Sequence, residues 1–312
     1  MRALITGATG FIGRRLLERV SDPVVLTRDP ARTRGALPRA TLFAWDPLAG
    51  PPPAEAFRDV RAVFHLAGEP VAQGRWSTSK KERIRASREI GTSNLVKTLA
   101  ELAVRPSVLV SASAIGYYGA RGDEPLDEAS APGHDFLAEV CRSWESSSAA
   151  AAPLGIRVVN PRIGIVLGRG GGALTTMLIP FKLGVGGPLG NGRQWMSWIH
   201  IDDIVGLLLH AVEHEEISGP LNAVALNAVT NREFTRLLGK ALHRPAFMPV
   251  PGLMLKLVVG EFGKLLLDSQ HVLPRVAQRT GYEFRFPELA GALEDILGAT
   301  PKRPQPARAP AR

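Results

Sequence analysis

Gly7, Gly10 and Gly13 recur at three-residue steps between a short apolar run, residues 3–6, and a helix-like run, residues 11–20. A glycine at a turn bends the chain without a Cβ clash. A second lets backbone approach a pyrophosphate closely, and a third lets a helix pack on a strand. The free N–H groups at the start of that helix then face the anion. The spacing is GxxGxxG rather than GxGxxG, so its place between strand and helix carries the signal more than the pattern does. Retention of a dinucleotide phosphate is the chemistry this turn suits, and Thr9, Phe11 and Ile12 belong to the same turn.

Other residues offer proton transfer or substrate contacts. Ser113, followed closely by Tyr117 and Tyr118, supplies hydroxyls. Tyr118 is expected in the core, and Tyr117, beside the small Gly116, is the hydroxyl of interest for catalysis. Arg193, Gln194, Trp195 and Trp198 bring a planar fork, an amide and two ring faces, suited to an anionic or carbonyl-bearing substrate. Packing of one or both Trp residues between lobes is an equal expectation. Cys141 shares an apolar pattern with Val140 and Trp144, which predicts a buried small side chain rather than a nucleophile. With one cysteine, no disulfide and no metal-site pattern is expected, and the compartment is reducing, most simply the cytoplasm.

The elements that position these groups alternate. Strand-like runs at residues 23–26, 42–45, 62–66, 107–111 and 156–160 are interleaved with helical stretches at 80–102 and 135–151. That is the rhythm of a parallel sheet covered by helices. The predicted fold is α/β, a Rossmann-type doubly wound parallel sheet with a smaller mixed C-terminal substrate lobe. Residues 1–170 form the nucleotide-binding domain, to which 198–228 return. Residues 171–300 form the substrate lobe, with glycine-rich loops at 170–172 and 184–192 and helices at 231–242 and 251–267. The Pro/Ala-rich residues 301–312 are expected to be disordered.

Of 312 residues, 45% are hydrophobic and 21% charged, enough apolar side chains for a sizeable core in a soluble enzyme. The apolar run at 253–259 is too short to span a membrane and contains Lys256. The chain enters a strand at once, so no signal peptide is expected. The net charge of +9 owes four charges to Lys302, Arg303, Arg308 and Arg312. The cluster of Lys80, Lys81, Arg83, Arg85 and Arg88 has no nucleic-acid motif beside it. An anionic cofactor or small substrate accounts for the charge better than nucleic acid, and a monomer or homodimer is expected.

Four motifs follow the glycine turn in order: Val63-Phe-His-Leu-Ala-Gly68, Gly91-Thr-Ser-Asn-Leu95, Ser111-Ala-Ser113 and Trp198-Ile-His-Ile-Asp-Asp203. Together they resemble the extended short-chain dehydrogenase/reductase superfamily. Gly116-Tyr-Tyr-Gly119, Trp144-Glu145, Gly192-Arg-Gln-Trp-Met-Ser-Trp-Ile-His200 and a block from Gly260 to Pro287 narrow the resemblance. They look like the "epimerase family" oxidoreductases that end in a short C-terminal domain of unknown function, here 249–297. The resemblance covers roughly residues 1–297 and implies a Rossmann fold and a nicotinamide dinucleotide.

It also implies roles. NAD-binding members carry an acid at the end of the second strand, where this chain has Thr27 and then Arg28, with Asp29 one step into the loop. An acid repels a 2′-phosphate and a guanidinium pairs with it, so Thr27 and Arg28 point to NADP(H). A solvated loop charge is the alternative for Arg28. Asp46 resembles an adenine-contacting acid. Leu66, Ala67 and Gly68 would line the dinucleotide, as would Ser111, Pro161 and Arg162. Ser113 matches the catalytic serine, but the usual Tyr and Lys fall on Phe136 and Val140, which transfer no proton. Two functions follow from these residues. One is an NADP(H)-binding oxidoreductase or epimerase-like enzyme of unusual proton-transfer chemistry acting on a small polar substrate. The other is an NADPH-sensing or regulatory binding protein.

Overall fold

The computed structural model describes residues 1–252 and 260–298. The tail at 301–312 and the apolar run at 253–259 lie outside the described residues. Apolar runs become β1 (Arg2–Thr6), β2 (Asp22–Thr27), β3 (Thr41–Ala44), β4 (Ala62–His65) and β5 (Val108–Ser111). Beyond them lie the short β6 (Ser113–Ala114) and β7 (Pro125–Leu126), then β8 (Arg157–Ile163) and β9 (Ile165–Leu167). The short β10 (Trp195–Met196) and β11 (Trp198–His200) precede β12 (Gly219–Ala223). The main sheet runs β12-β8-β5-β4-β1-β2-β3, with β6 added beside β8, and its pairings are all parallel.

Both faces of this sheet are covered, which is why its strands read as continuous apolar runs. Ala3, Ile5, Val25, Phe64 and Val110 face one layer, packed with Leu207 and Leu208. Leu4, Val24, Val63 and Leu109 face the other, packed with Leu95 and Leu99. The first layer holds α1 (Phe11–Leu17) and α6 (Ile201–Glu213); the second holds α3 (Thr78–Glu101), which packs on α4 (Phe136–Ala149). A short α2 (Pro30–Arg34) follows β2. Side chains cap these helices: Ser77 caps α3, Asp135 caps α4 and His200 caps α6, each accepting a hydrogen bond from a first-turn N–H.

Pro161 lies inside β8, an unusual place for a residue without an N–H. It stands between the part of β8 that pairs β5 and the part that pairs β6, where the ladder is interrupted. After β8 the chain leaves the sheet. Residues 165–167 and 198–200 pair with each other as a separate two-stranded unit. Trp198, Leu167, Leu174, Phe181, Phe234 and Leu293 then build a second core. Residues 201–223 return to the main sheet through α6 and β12.

The longest helix that the sequence reading does not anticipate follows β9. Residues 172–182, flanked by the expected glycine loops, form α5 (Gly172–Lys182), with Pro180 inside it. Burial of Leu174 and Phe181 in the second core holds it against that proline. The expected helix at 231–242 is α7 (Asn231–Leu242), capped by Thr230.

Candidate functional site

The glycine turn joins β1 to α1 and is packed as tightly as its sequence implies. Gly7 has φ +70°, and a Cβ there would lie 2.8 Å from the carbonyl carbon and oxygen of Leu66. A Cβ on Gly13 would lie 2.3 Å from the Gly7 carbonyl oxygen. No side chain caps α1, so its first-turn N–H groups remain open. They open into a cleft of about 400 Å³ lined by Gly7, Gly10, Phe11, Ile12 and Leu66 on one side. Ala112, Ile163, Ile165, Val166 and Ala173 close the other side. Phe11 is clasped by a loop: a Cβ on Gly168, Gly171 or Gly172 would come within 2.3–2.8 Å of its ring. Thr9 is exposed on the same turn.

His65 ends β4 just below this cleft. It is buried between the Thr6 hydroxyl, 2.8 Å from Nδ1, and the Thr92 hydroxyl, 3.0 Å from Nε2. Thr6 Oγ1 also accepts from the Ala67 N–H at 3.1 Å, which fixes the strand end that lines the cleft. Burial, and then the field of Arg88, lowers the His65 pKa from 6.5 to about 4. The unfolded chain therefore takes up a proton that the folded chain refuses between pH 6.5 and about pH 4. Stability from neutral His65 is complete above that window and falls as pH drops through it, by about 3 kcal/mol at its lower edge. Urea midpoints measured from pH 7 to pH 4.5 should fall more steeply for the wild type than for His65→Gln. Parallel profiles would contradict the buried neutral imidazole.

At the end of β2, Thr27 bonds the Thr33 hydroxyl at 2.9 Å. Arg28 is exposed and has no ion-pair partner among the described residues. The Asp29 carboxylate caps α2, accepting from the Arg32 N–H at 2.9 Å. Asp46, just past β3, is exposed and accepts from the Leu48 N–H.

The candidate catalytic residue Ser113 sits beside an ion pair that sequence reasoning missed. Arg162, in β8, donates from Nε and Nη2 to the two carboxylate oxygens of Glu145 in α4, both at 2.9 Å. Ser113 Oγ donates to the same carboxylate at 2.6 Å. Arg162 Nη1 reaches the Tyr118 hydroxyl at 3.0 Å, and Tyr118 donates to Asn222 at 2.6 Å. Burial opposes the Arg162 charge, and the bonds and field of Glu145 more than offset it, so its pKa rises. Burial pushes the Tyr118 phenol up to about 12. Arg162, expected among the cofactor contacts, has its Nε–Nη2 fork occupied by Glu145. Tyr118 is in the core, as expected.

Tyr117 differs from its neighbour. It is half-buried, its ring lies 3.4 Å from the Arg162 guanidinium carbon, and its hydroxyl has no hydrogen bond among the described residues. Phe136, at the usual Tyr position, packs edge-on against Trp76, with Lys81 and Arg85 near its face. Val140 is buried. Burial and then the field of Glu145 push the Cys141 thiol up to about 11, which suits an inert packing group. Ser111 is buried with its hydroxyl unpartnered, and Pro161 is buried between neighbouring strands.

The four expected substrate contacts separate. Trp198 is fully buried, with its Nε1 bonded to the Asn227 carbonyl. Gln194 is buried and donates to the carbonyls of Leu189 and Leu266. The strand pairing of β11 turns Trp198 inward, and loop carbonyls occupy the Gln194 amide. Trp195 remains partly exposed, stacked 4.1 Å from His271 and bonded to Asp123. Arg193 is exposed.

The charge cluster on α3 is largely answered by carboxylates. Lys80 pairs with Glu69, Lys81 with Glu261 and Arg85 with Glu139. A larger cavity of about 560 Å³ lies in the second lobe, where Arg232, Arg236, Lys240 and Arg244 step at four-residue intervals along and past α7. Arg236 there is paired with Glu233.

Residues 3–223 match the model of the NAD dependent epimerase/dehydratase family. The chain belongs to this family. Residues 250–296 match a C-terminal domain of unknown function that follows it. An Arabidopsis thaliana protein named as a chloroplastic homologue of the epimerase family protein SDR39U1 is similar in sequence. It is 41% identical over 95% of this chain and 87% of its own. Mouse SDR39U1 is 38% identical over 95% of this chain and 100% of its own. The crystal structure of human SDR39U1, isoform 2, with NADPH superposes with a TM-score of 0.85. It is 35% identical and covers 96% of this chain and 100% of that one.

The family's C-terminal block is tied directly to the nucleotide-binding sheet. Asp203, at the start of α6, accepts from the backbone N–H groups of Arg285 and Phe286 and sits against the Tyr282 hydroxyl. Asp202 links Arg15 of α1 with Arg285. His200 caps α6 by accepting from the Asp202 N–H, a structural duty rather than a proton-transfer one. No helix among the described residues is long and apolar enough to cross a membrane.

Proposed function

We propose that the chain is an NADP(H)-dependent oxidoreductase or epimerase-like enzyme acting on a small polar substrate. The uncapped start of α1 over the left-handed Gly7, opening into the 400 Å³ cleft, carries this reading. The residues fit a dinucleotide. Gly7 and Gly13 leave room that any Cβ would fill, and the exposed Arg28 stands free at the end of β2. The similarity to a relative solved with NADPH supports the same cofactor. Under this proposal Gly7, Thr9, Gly10, Phe11 and Ile12 hold the pyrophosphate. Leu66, Ala67, Gly68 and Ser111 border the nicotinamide half, and Asp46 the adenine. Thr27 and Arg28 take the 2′-phosphate.

When bound, the nicotinamide supplies or accepts a hydride. The chain's own part is to hold the substrate and move a proton. Ser113 is fixed by donating to Glu145, with its lone pairs able to accept. Tyr117 has a hydroxyl without a hydrogen-bond partner among the described residues, on a ring held 3.4 Å from the Arg162 guanidinium carbon, and would exchange the proton. Trp195 and Arg193 would border the substrate. The lone buried thiol fits a reducing compartment, the cytoplasm under this proposal, where the chain acts as a monomer or homodimer.

Arg28→Ala should weaken NADPH binding by at least about tenfold while changing NADH binding little. Equal weakening of both would overturn the cofactor assignment. Nicotinamide absorbance followed against aldehydes, ketones, quinones and nucleotide sugars then tests turnover, with Ser113→Ala and Tyr117→Phe as inactive variants. The alternative, an NADPH-responsive binding protein, is favoured by Phe136 and Val140, which offer no proton. It predicts tight NADPH binding and no turnover with any of these substrates.

A further inference from the structure

Arg88, on α3, carries a charge that no carboxylate of the described residues answers. Glu69, whose field reaches it, is engaged by Lys80 at 2.7 Å and by Arg83 at 3.6 Å. From Glu69, Arg88 takes only the backbone carbonyl. Its hydrogen bonds all leave from Nη1: to the carbonyls of Ile84 at 3.0 Å and Glu69 at 3.2 Å, and to the Ser87 hydroxyl at 3.5 Å. Nε and Nη2 have no acceptor among the described residues. That edge is the parallel pair of donors whose spacing matches a planar carboxylate.

The edge is also held in place, on a side chain partly open to solvent. The guanidinium carbon lies 4.8 Å from the Trp144 ring centroid, so the indole fixes its plane. Gly68 lies beside it, and a Cβ there would come within 3.2 Å of both Cζ and Nη2. Gly68 follows closely on Leu66, which lines the glycine cleft. The Arg88 side chain is partly open to solvent, yet burial is the largest influence on it and lowers its pKa. A cation held partly out of water with two free donors gains strongly from an incoming anion. Two more polar atoms on neighbouring elements are buried without partners: Ser111 Oγ at the end of β5 and Trp144 Nε1 on the ring that Arg88 covers.

We propose that Arg88 is a substrate-binding residue whose Nε–Nη2 edge receives a carboxylate in the space left open by Gly68, making small oxo or hydroxy acids the substrate class. This rests on the cofactor cleft proposed above, so two ligands are titrated by calorimetry in parallel, NADPH and oxalate. The wild type with saturating NADP⁺ should bind oxalate. Arg88→Gln should weaken oxalate by about tenfold or more, with NADPH affinity held within about twofold. Arg88→Lys, which keeps the charge and loses the parallel donors, should fall between. Gly68→Ala should also weaken oxalate with every charge in place, which preserves the test if Arg88→Gln fails to fold. Wild type that binds no oxalate, or an Arg88→Gln chain that binds it equally, overturns the proposal. So does an Arg88→Gln chain that loses NADPH affinity along with oxalate, since Arg88 would then serve the nucleotide. If the wild type binds no NADPH, the cofactor proposal fails, and oxalate titrated against the nucleotide-free chain still tests Arg88.

Discussion

Glu145→Ala is expected to lose about 3–5 kcal/mol of stability, because it strands a buried guanidinium. The Arg162 side chain is 3% exposed and that of Glu145 15%, so neither charge is well solvated once the other is gone. After the substitution Arg162 keeps only the Tyr118 hydroxyl at 3.0 Å and the Glu128 carbonyl at 3.3 Å. Ser113 loses the acceptor that orients it, so proton-transfer geometry and stability should fail together. A pair of charges in low dielectric is weak net support, and breaking one half of it is the costly event. The double variant Glu145→Ala/Arg162→Met should therefore recover much of the loss. Urea unfolding at pH 7 measures both. A Glu145→Ala chain within about 1 kcal/mol of wild type would mean that water reaches Arg162 freely.

The ion pair also marks where the sequence stops being readable. The resemblance places Arg162 among the cofactor contacts and offers Glu145 only within Trp144-Glu145. Nothing local joins an acid in α4 to a strand residue seventeen positions later; the pairing follows from how α4 lies on β8. The sheet was legible for the opposite reason. Its strands are buried on both faces, so each is an unbroken apolar run, and the strand order follows from parallel crossovers. The turn at Gly7 was legible because backbone geometry depends on the residue itself. Trp198 and Gln194 show the limit on side chains. Their chemistry was plain, but whether each faces a ligand or the core was decided by β11 pairing with β9 and by the carbonyls of Leu189 and Leu266. The helix α5 was hidden by Pro180 and its flanking glycines, and only the burial of Leu174 and Phe181 explains it.

Gly13→Ala is expected to weaken NADPH binding on the order of 10²-fold, the scale at which a misplacement of about an ångström is felt where geometry is demanding. The added methyl would lie 2.3 Å from the Gly7 carbonyl oxygen and 2.7 Å from the Ala8 Cα, both backbone atoms. No rotamer relieves such a contact, so α1 must move away from the turn. That displaces the open N–H groups of its first turn from the turn that would share the pyrophosphate with them. Gly35→Ala is the matched control: its Cβ would meet nothing within 4 Å, and the position has helical φ. It removes a glycine's chain entropy without touching the turn and should leave binding unchanged and stability equal or slightly higher. Fluorescence titration of NADPH against the two variants separates a specific role for close packing from a general effect of losing glycine. If Gly13→Ala binds as tightly as Gly35→Ala, the start of α1 does not hold the phosphates, and the cofactor must be sought elsewhere on the sheet's carboxyl edge.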